Sequence, residues 1–395
     1  MKIKVGVIFG GPSVEHEVSI ISAVQAMTHM DKDKYEVIPI YITKEREWYT
    51  GGLLKEIDTY RDMDLLKRYA KKVVLYQRNG EFILQTMGFF KKIVNTIDIA
   101  FPIVHGNGVE DGTLAGYLKT IGIPTVGCNV LGAALGQDKV VMKQVFESCG
   151  LPVVDYTWFY DSEYLTHKDH IFKEVKKIGY PVIVKPATLG SSVGIELVKE
   201  EFSLDAAIRE SLKYDSKIVV EKVVPNLTEV NCSVLGSHEF QKTSAIEEVM
   251  GADEFLSYRD KYLGGGKGKF GGKSKGMAST NRIVPARISP KMKDKIEELS
   301  KIAFKALNLS GVCRIDFLID QKKEEVYINE PNTIPGSLSF YLWEPIGKSY
   351  KELLDELITL GIKDYKESSK KVASFDTNIL SNFSGTKGVK GSKLK

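Results

Sequence analysis

The chain has 395 residues, enough for two to four domains of about 100–200 residues each, every one with a buried core. Hydrophobic residues make up 43% and charged residues 27%, and a net charge of +4 with both signs interspersed argues against a nucleic-acid footprint. No window approaches 18 apolar residues, the apolar run at 5–9 is too short for a signal peptide, and the four cysteines never fall in C-x-x-C spacing. Membrane-spanning, zinc-knuckle and dithiol-redox classes are therefore set aside, and a cytoplasmic protein with reduced thiols is expected.

In chain order, residues 5–9 form a short apolar run that ends in Gly10, Gly11, Pro12 and Ser13. Residues 18–24 follow with the look of a helix. Strand, glycine turn and helix open an α/β unit. Residues 35–42 and 97–104 read as further strands and 114–121 as a helix. Residues 1–125 are thus expected to form a Rossmann-like, doubly wound α/β domain. The second unit, 126–227, has a helix at 139–149, strands at 180–185, 195–198 and 218–224, and a helix at 204–213. The third, 228–366, has a glycine- and lysine-rich stretch at 263–276, a helix at 290–307, strands at 313–319 and 325–329, and a closing helix at 350–360. The polar tail, 367–395, is expected to fray. The fold class is α/β joined to α+β.

Five constellations bear on chemistry. Arg314 and Asp316 share one strand face, as do Glu330 and Asn332, because strand side chains alternate with period two. A hairpin with an odd loop centred on Lys323 sets Asp316 opposite Glu330 and Arg314 opposite Asn332. Such hard oxygen donors suit Mg²⁺, and the arginine suits phosphate. An ordinary salt-bridged hairpin face is the alternative. Gly336, in the turn that follows, can offer a backbone N–H to an anion. Lys185 ends an apolar strand just before the Gly190-Ser191-Ser192 loop, whose N–H and hydroxyl donors can wrap phosphates. Glu221 and Lys222 stand alone in an apolar strand, as an adenine pocket needs or as a solvated charge pair would look. Glu15 lies at a helix start, where it either caps the helix or holds an ammonium. His105 begins a glycine-rich loop after the strand at 97–104, where open α/β sheets bind ligands. Two decoys fail. G-x-G-x-x-G is absent after Gly10, and the Walker pattern before Gly272-Lys273-Ser274 has Lys267 where its first glycine belongs.

The order of these signals, with Asp138-Lys139 and Lys261-Tyr262 between them, resembles the D-alanine–D-alanine ligase family over residues 3–360. The resemblance implies an ATP-grasp fold: an N-terminal Rossmann-like domain, then two ATP-grasp subdomains clasping ATP between antiparallel sheets, with a lid at 251–281. It implies an ATP-dependent ligase for peptidoglycan precursor synthesis. The first D-alanine is phosphorylated on its carboxylate, and the amine of a second D-amino acid attacks the acyl phosphate. Glu15, Ser19 and His105 would then hold the first substrate. Lys139, Lys185, Ser191, Ser192 and Lys261 would contact phosphates, with Ser191 also linked to Tyr262 in the lid. Glu221, Lys222 and Val224 would frame the adenine, and Glu229 the ribose. Arg314 and the Gly336 N–H would stabilise the oxyanion. Asp316, Glu330 and Asn332 would hold two Mg²⁺, with Mn²⁺ as a substitute. A homodimer acting on small molecules alone is expected.

Three departures stand out against the family pattern. Val109 replaces a common glycine, Ala133 a frequent serine, and Tyr341-Leu342 a Ser-Leu pair at the carboxylate of the second substrate. The last bears on acceptor identity and keeps D-alanine–D-serine ligation as an alternative. A ligase for another carboxylate is disfavoured by Glu15 and His105, and a non-catalytic nucleotide-binding regulator by the intact set of Lys185, Arg314, Asp316, Glu330 and Asn332.

Overall fold

Three sheets follow one another along the chain in the computed structural model, which describes residues 2–250 and 282–372. The expected lid, with Lys261 and Tyr262, and the tail beyond 372 lie outside the described residues.

The first sheet is built on Ile3–Gly10. This strand pairs in parallel with Tyr35–Ile42 on one side and Ile99–Val104 on the other. Val5, Val7 and Phe9 pack on one face and Ile8 on the other, so both faces are buried, as a parallel core requires. The helix His16–His29 covers the first face, and the helix Thr113–Thr120 joins the core of the second. Beyond Tyr35–Ile42 the sheet continues antiparallel through Trp48–Thr50, Lys71–Arg78, Glu81–Thr86 and Ile93–Ile97. The reading of a purely doubly wound domain is corrected here: four of the seven strands are an antiparallel extension. The strand expected at 97–104 is also interrupted. Asp98 turns its backbone N–H to the Lys4 carbonyl at 2.8 Å and its carboxylate accepts from the Lys4 N–H at 2.7 Å. The polar residue ends one strand and starts the next.

The second sheet has the order Glu196–Val198, Val182–Pro186, Lys217–Lys222, Tyr156–Tyr160, all antiparallel. The third is ordered Arg282–Ile283, Gln241–Val249, Leu227–Gly236, Gly311–Asp320, Glu325–Asn332, again antiparallel. The helix Pro290–Ala306, with Ser289 accepting from the Met292 N–H as its cap, covers one face of this sheet. The closing helix Tyr350–Ser368 carries a capping box at Ser349 and Glu352. Its Leu353, Leu354, Leu357 and Ile358 pack back into the core beneath the first sheet. The chain's far end therefore stabilises its beginning, and removing this helix would expose both partners.

One register detail positions the site. Asp320 pairs with Glu325 and Phe317 with Ile328, which centres the hairpin turn between Lys322 and Lys323. In that frame Asp316 would face Asn329. A bulge between Asp316 and Phe317 takes up Asn329 as an extra residue, and past it Asp316 pairs with Glu330 and Arg314 with Asn332. The expected pairing is present, but the odd loop invoked to produce it is corrected to an even turn plus a bulge. Pro331, which has no N–H to donate, is tolerated because this strand is the sheet's edge.

Candidate active site

Polar residues line up across the third sheet because directly opposed residues share a face. Glu247 opposes Asn231, Asn231 opposes Asp316, and Asp316 opposes Glu330. Arg314, two residues before Asp316, closes on it with two parallel bonds, Nε to Oδ1 at 2.7 Å and an NH2 nitrogen to Oδ2 at 2.8 Å. Asn332 donates to the same Oδ2 at 3.1 Å. Burial pushes the Asp316 carboxyl up, against the pull of Arg314. Lys139, at the start of the helix Lys139–Ser148, reaches Glu330 at 3.2 Å and donates to the Leu189 carbonyl at 2.6 Å. One helix thus spans from the phosphate-type loop of the second sheet to the carboxylates of the third.

Opposite this row the first domain contributes Glu15, His105 and Glu110. All three line one cavity with Lys139, Ser191, Arg314, Asp316, Glu330, Asn332 and Gly336. Ser191 donates to the Glu15 carboxylate. Ser191 and Ser192 sit at φ 56° and 58°, a left-handed bend rare for residues with a side chain. Gly106 must be glycine: its φ is +80°, and a Cβ there would meet Ser13 at 2.9 Å and Glu15 at 3.0 Å.

His105 is buried, and Ser22 accepts from the Ser337 N–H at 2.9 Å while lying 3.1 Å from His105 Nε2. Burial pushes the imidazole down to about 4, with Arg314 adding to the fall and a bond to the Ile334 backbone opposing it. The ring is neutral near pH 7, so it orients by hydrogen bonding and not by charge.

Glu110 was overlooked as a site residue, although it lies in the His105 loop motif. Its carboxylate accepts from Gly106 N–H at 2.8 Å, Ile334 N–H at 3.0 Å and Thr333 hydroxyl at 3.1 Å. It clamps the first domain's loop to the turn that carries Gly336. Burial, then the nearby Glu15 carboxylate, push it up to about 7 against those donors. A group raised in the folded state adds stability below its unfolded value, near 4.5, and loses it as pH rises through 7. His105 works the other way, its contribution being present above 6.5 and lost as pH falls towards 4. Glu110→Gln should therefore shift the stability difference towards the variant between pH 5 and pH 8. Thermal unfolding of both proteins at the two pH values measures it, and a constant difference would contradict the assignment.

Two more overlooked groups hold the turn. Ser337, Leu338 and Ser339 all lie at φ of 50–54°, and strain of this kind persists only when neighbours fix it. Ser22 and Gln25, on the helix His16–His29, do so through the Ser337 N–H at 2.9 Å and its hydroxyl at 2.6 Å. Asn231 and Glu247 were also overlooked. The signal for Asn231 was the alternation of polar residues at 229, 231 and 233 within an apolar strand, while Glu247 lies on the neighbouring strand Gln241–Val249.

In the second sheet, Lys185 and Glu221 are diagonal neighbours on one face, 2.6 Å apart, and both are buried. Burial works to raise the Glu221 carboxyl, but Lys143 and then Lys185 outweigh it and hold it at about 2. Val224 is buried beyond the end of this strand. Glu229, on the facing strand Leu227–Gly236, adds to the negative field on Lys185.

Several expected placements need correcting. Ser19 is buried, accepting from Gly10 N–H at 2.7 Å and donating to the Ile103 carbonyl at 2.6 Å. It ties two strands together and does not line the cavity. Lys222 points away from Glu221, as adjacent strand residues do, and donates to the Gly179 carbonyl at 2.7 Å. Leu342 has a fully buried side chain, which leaves untouched the backbone N–H expected of it. Tyr341 donates to Glu247 at 3.0 Å, with the Arg282 guanidinium 4.1 Å from its ring centre, and burial first of all pushes its hydroxyl up to about 12. Val109, in place of a glycine, is buried over Gly11 and leaves the Glu110 clamp intact. Ala133 is buried too.

Among the described residues no cluster of three or more His, Cys, Asp or Glu is arranged to hold a metal. Asp316, Glu330 and Asn332 offer two carboxylates and an amide oxygen on one face, each carboxylate beside a cation. That donor set fits Mg²⁺, which takes one or two carboxylates and fills its shell with water and phosphate. No described helix is long and apolar enough to cross a membrane.

Comparison with known proteins agrees along most of the chain. The family model described as D-ala D-ala ligase N-terminus matches residues 4–128, and that described as D-ala D-ala ligase C-terminus matches 145–359. The D-alanine–D-alanine ligase of Thermosipho melanesiensis is 41% identical over 380 residues, covering 96% of this chain and 98% of the relative. Among solved structures, the D-alanine–D-alanine ligase of Coxiella burnetii superposes with a TM-score of 0.79 at 28% identity, covering 93% of this chain and 96% of that one. The VanG D-Ala:D-Ser ligase of Enterococcus faecalis gives 0.75 at 31% identity, covering 91% and 100%. These likenesses identify the fold as ATP-grasp, and the chain belongs to the D-alanine–D-alanine ligase family.

Proposed function

We propose that this chain is an ATP-dependent D-alanine–D-alanine ligase that makes a D-alanyl dipeptide for peptidoglycan precursor synthesis. It is organised as a Rossmann-like domain at 1–125, ATP-grasp subdomains at 126–227 and 228–366, and a tail at 367–395. The observation that carries the reading is the single cavity in which Glu15 and His105 of the first domain meet Lys139, Ser191, Arg314, Asp316, Glu330 and Gly336.

The chemistry follows from the charges. A carboxylate oxygen of the first D-alanine attacks the γ-phosphorus of ATP, and the bond to ADP breaks. Glu15 holds the substrate ammonium, and neutral His105 donates or accepts one hydrogen bond near its carboxylate. Lys139 and Lys185 turn from Glu330 and Glu221 to the phosphates, so the pairs seen here are held in readiness for the nucleotide. The amine of the second amino acid then attacks the acyl carbon, and the proton it gives up leaves with the departing phosphate. The oxyanion forms beside Arg314 and the Gly336 N–H, and the carbon–oxygen bond to phosphate breaks. Asp316, Glu330 and Asn332 would hold Mg²⁺, which neutralises phosphate charge when bound. The test is D-alanine-dependent release of ADP, with the dipeptide identified by mass. ADP release that does not rise with D-alanine would refute the assignment.

D-Alanine is expected as the preferred acceptor, with measurable D-serine ligation. Tyr341 projects a hydroxyl farther than the serine usual in the family, but that hydroxyl donates to Glu247, so it adds no donor for D-serine, and a methyl-sized change alone is worth about 1–3 kcal/mol. Competition among D-alanine, D-serine and D-lactate at equal concentration near neutral pH decides it. Dominant D-lactate product would overturn the acceptor reading.

A further inference from the structure

Lys143 has no part in the mechanism above, yet it is fully buried beside the nucleotide-type pocket. It lies one turn after Lys139 on the helix Lys139–Ser148, and so on the same face. Its Nζ is 3.3 Å from Glu221 Oε1, while Lys185 is 2.6 Å from Oε2. Two ammonium groups therefore meet at one buried carboxylate, with Glu330 attracting both from farther off and Glu229 attracting Lys185. A second ammonium this close to Glu221 leaves the carboxylate paired when the first takes another partner.

The two lysines are not equivalent. Lys185 lies on a strand that ends at Pro186, just before the Gly190-Ser191-Ser192 loop, and can swing to a ligand there. Lys143 is fully buried and lies 5.7 Å from the ring centre of Tyr156, which packs against the apolar cluster of Val140, Val219 and Ala187. Tyr156 is itself anchored by its hydroxyl to Glu147 at 2.8 Å. Among the described residues Glu221 is the carboxylate within ion-pair distance of Lys143, with Glu330 acting on it from farther away.

We propose that Lys143 is a positioning residue: the fixed counterion that keeps Glu221 an ionised acceptor for the 6-amino group of adenine once Lys185 has moved to the phosphates. The proposal rests on reading this pocket as the ATP site. A carboxylate deprived of both lysines would take up a proton and could then donate to a 6-oxo purine as readily as accept from a 6-amino one.

The test compares binding of a non-hydrolysable ATP analogue and its inosine counterpart, by calorimetry on the full chain. Proteins are the wild type, Lys143→Met, Glu221→Gln and the double variant. Lys143→Met should lose about tenfold or more in affinity for the adenosine analogue, the scale of a hydrogen bond to a charged group, while the inosine analogue binds as well as before or better. The double variant should bind as Glu221→Gln does, because Lys143 acts through that carboxylate. Equal losses for both analogues, additive losses in the double variant, or no loss in Lys143→Met would each overturn it. If Lys143→Met fails to fold, the double variant against Glu221→Gln still decides. A wild type that binds neither analogue removes the nucleotide reading itself, and the proposal with it.

Discussion

Asp316→Asn and Glu330→Gln should each reduce ligation by about a thousandfold or more at saturating ATP and D-alanine, the scale on which single positioned charges act in phosphoryl transfer. Both residues face the same cavity from paired positions of adjacent strands. Each substitution keeps the shape and removes one negative charge. Glu330→Gln also frees Lys139, now 3.2 Å away, and Asp316→Asn breaks the two-point grip of Arg314. Nucleotide binding should weaken far less than turnover, since Lys185, Glu221 and the Gly190-Ser191-Ser192 loop lie elsewhere. Steady-state ADP release across a Mg²⁺ titration measures the loss. Near-normal turnover in both variants at saturating Mg²⁺ would end the reading of this face as a cation site.

Arg314→Met should lower kcat by about a hundredfold to a thousandfold, as loss of one donor to a developing oxyanion does elsewhere. The guanidinium lines the cavity with two of its nitrogens fixed on Asp316. It is therefore held before substrate arrives, which is what makes such a donor effective. Arg314→Lys should recover little, because an ammonium cannot grip a carboxylate at two points and still present a further N–H. The KM for ATP should move much less than kcat. Full rescue by lysine would mean that charge alone matters here and that the fork geometry does not.

How much of this was legible in the sequence depended on whether a signal was local. Period-two alternation placed Arg314 with Asp316 and Glu330 with Asn332, and apolar runs located Tyr35–Ile42 and Lys217–Lys222 closely. The antiparallel extension of the first sheet was missed because Lys71–Arg78 is half polar and reads as a solvated segment. Glu110 was passed over because its importance lies in Thr333 and Ile334, more than two hundred residues away in sequence. Ser19 and Lys222 misled for the opposite reason. Each sits inside a chemically suggestive run, and only the direction of the side chain shows that it serves the backbone. The cross-sheet row from Glu247 to Glu330 needed strand order, which no single segment contains.

The bulge at Asn329 separates two inheritances that a plain hairpin would bind together. In an unbroken ladder, a one-residue shift of register would turn every residue beyond it to the opposite face. Here the four residues 321–324 close the turn, and a separate feature four residue pairs up the hairpin sets which way the carboxylate of Glu330 looks. The tip of the hairpin can therefore vary in composition while the end that carries Glu330 keeps its aim. Asn329 itself has no such latitude. Deleting Lys323 should leave a folded, active protein, whereas deleting Asn329 should fold and yet turn Glu330 and Asn332 to the wrong side of the sheet. A single inconspicuous residue, with no chemistry of its own, is the hinge on which drift at the surface is uncoupled from constancy at the centre.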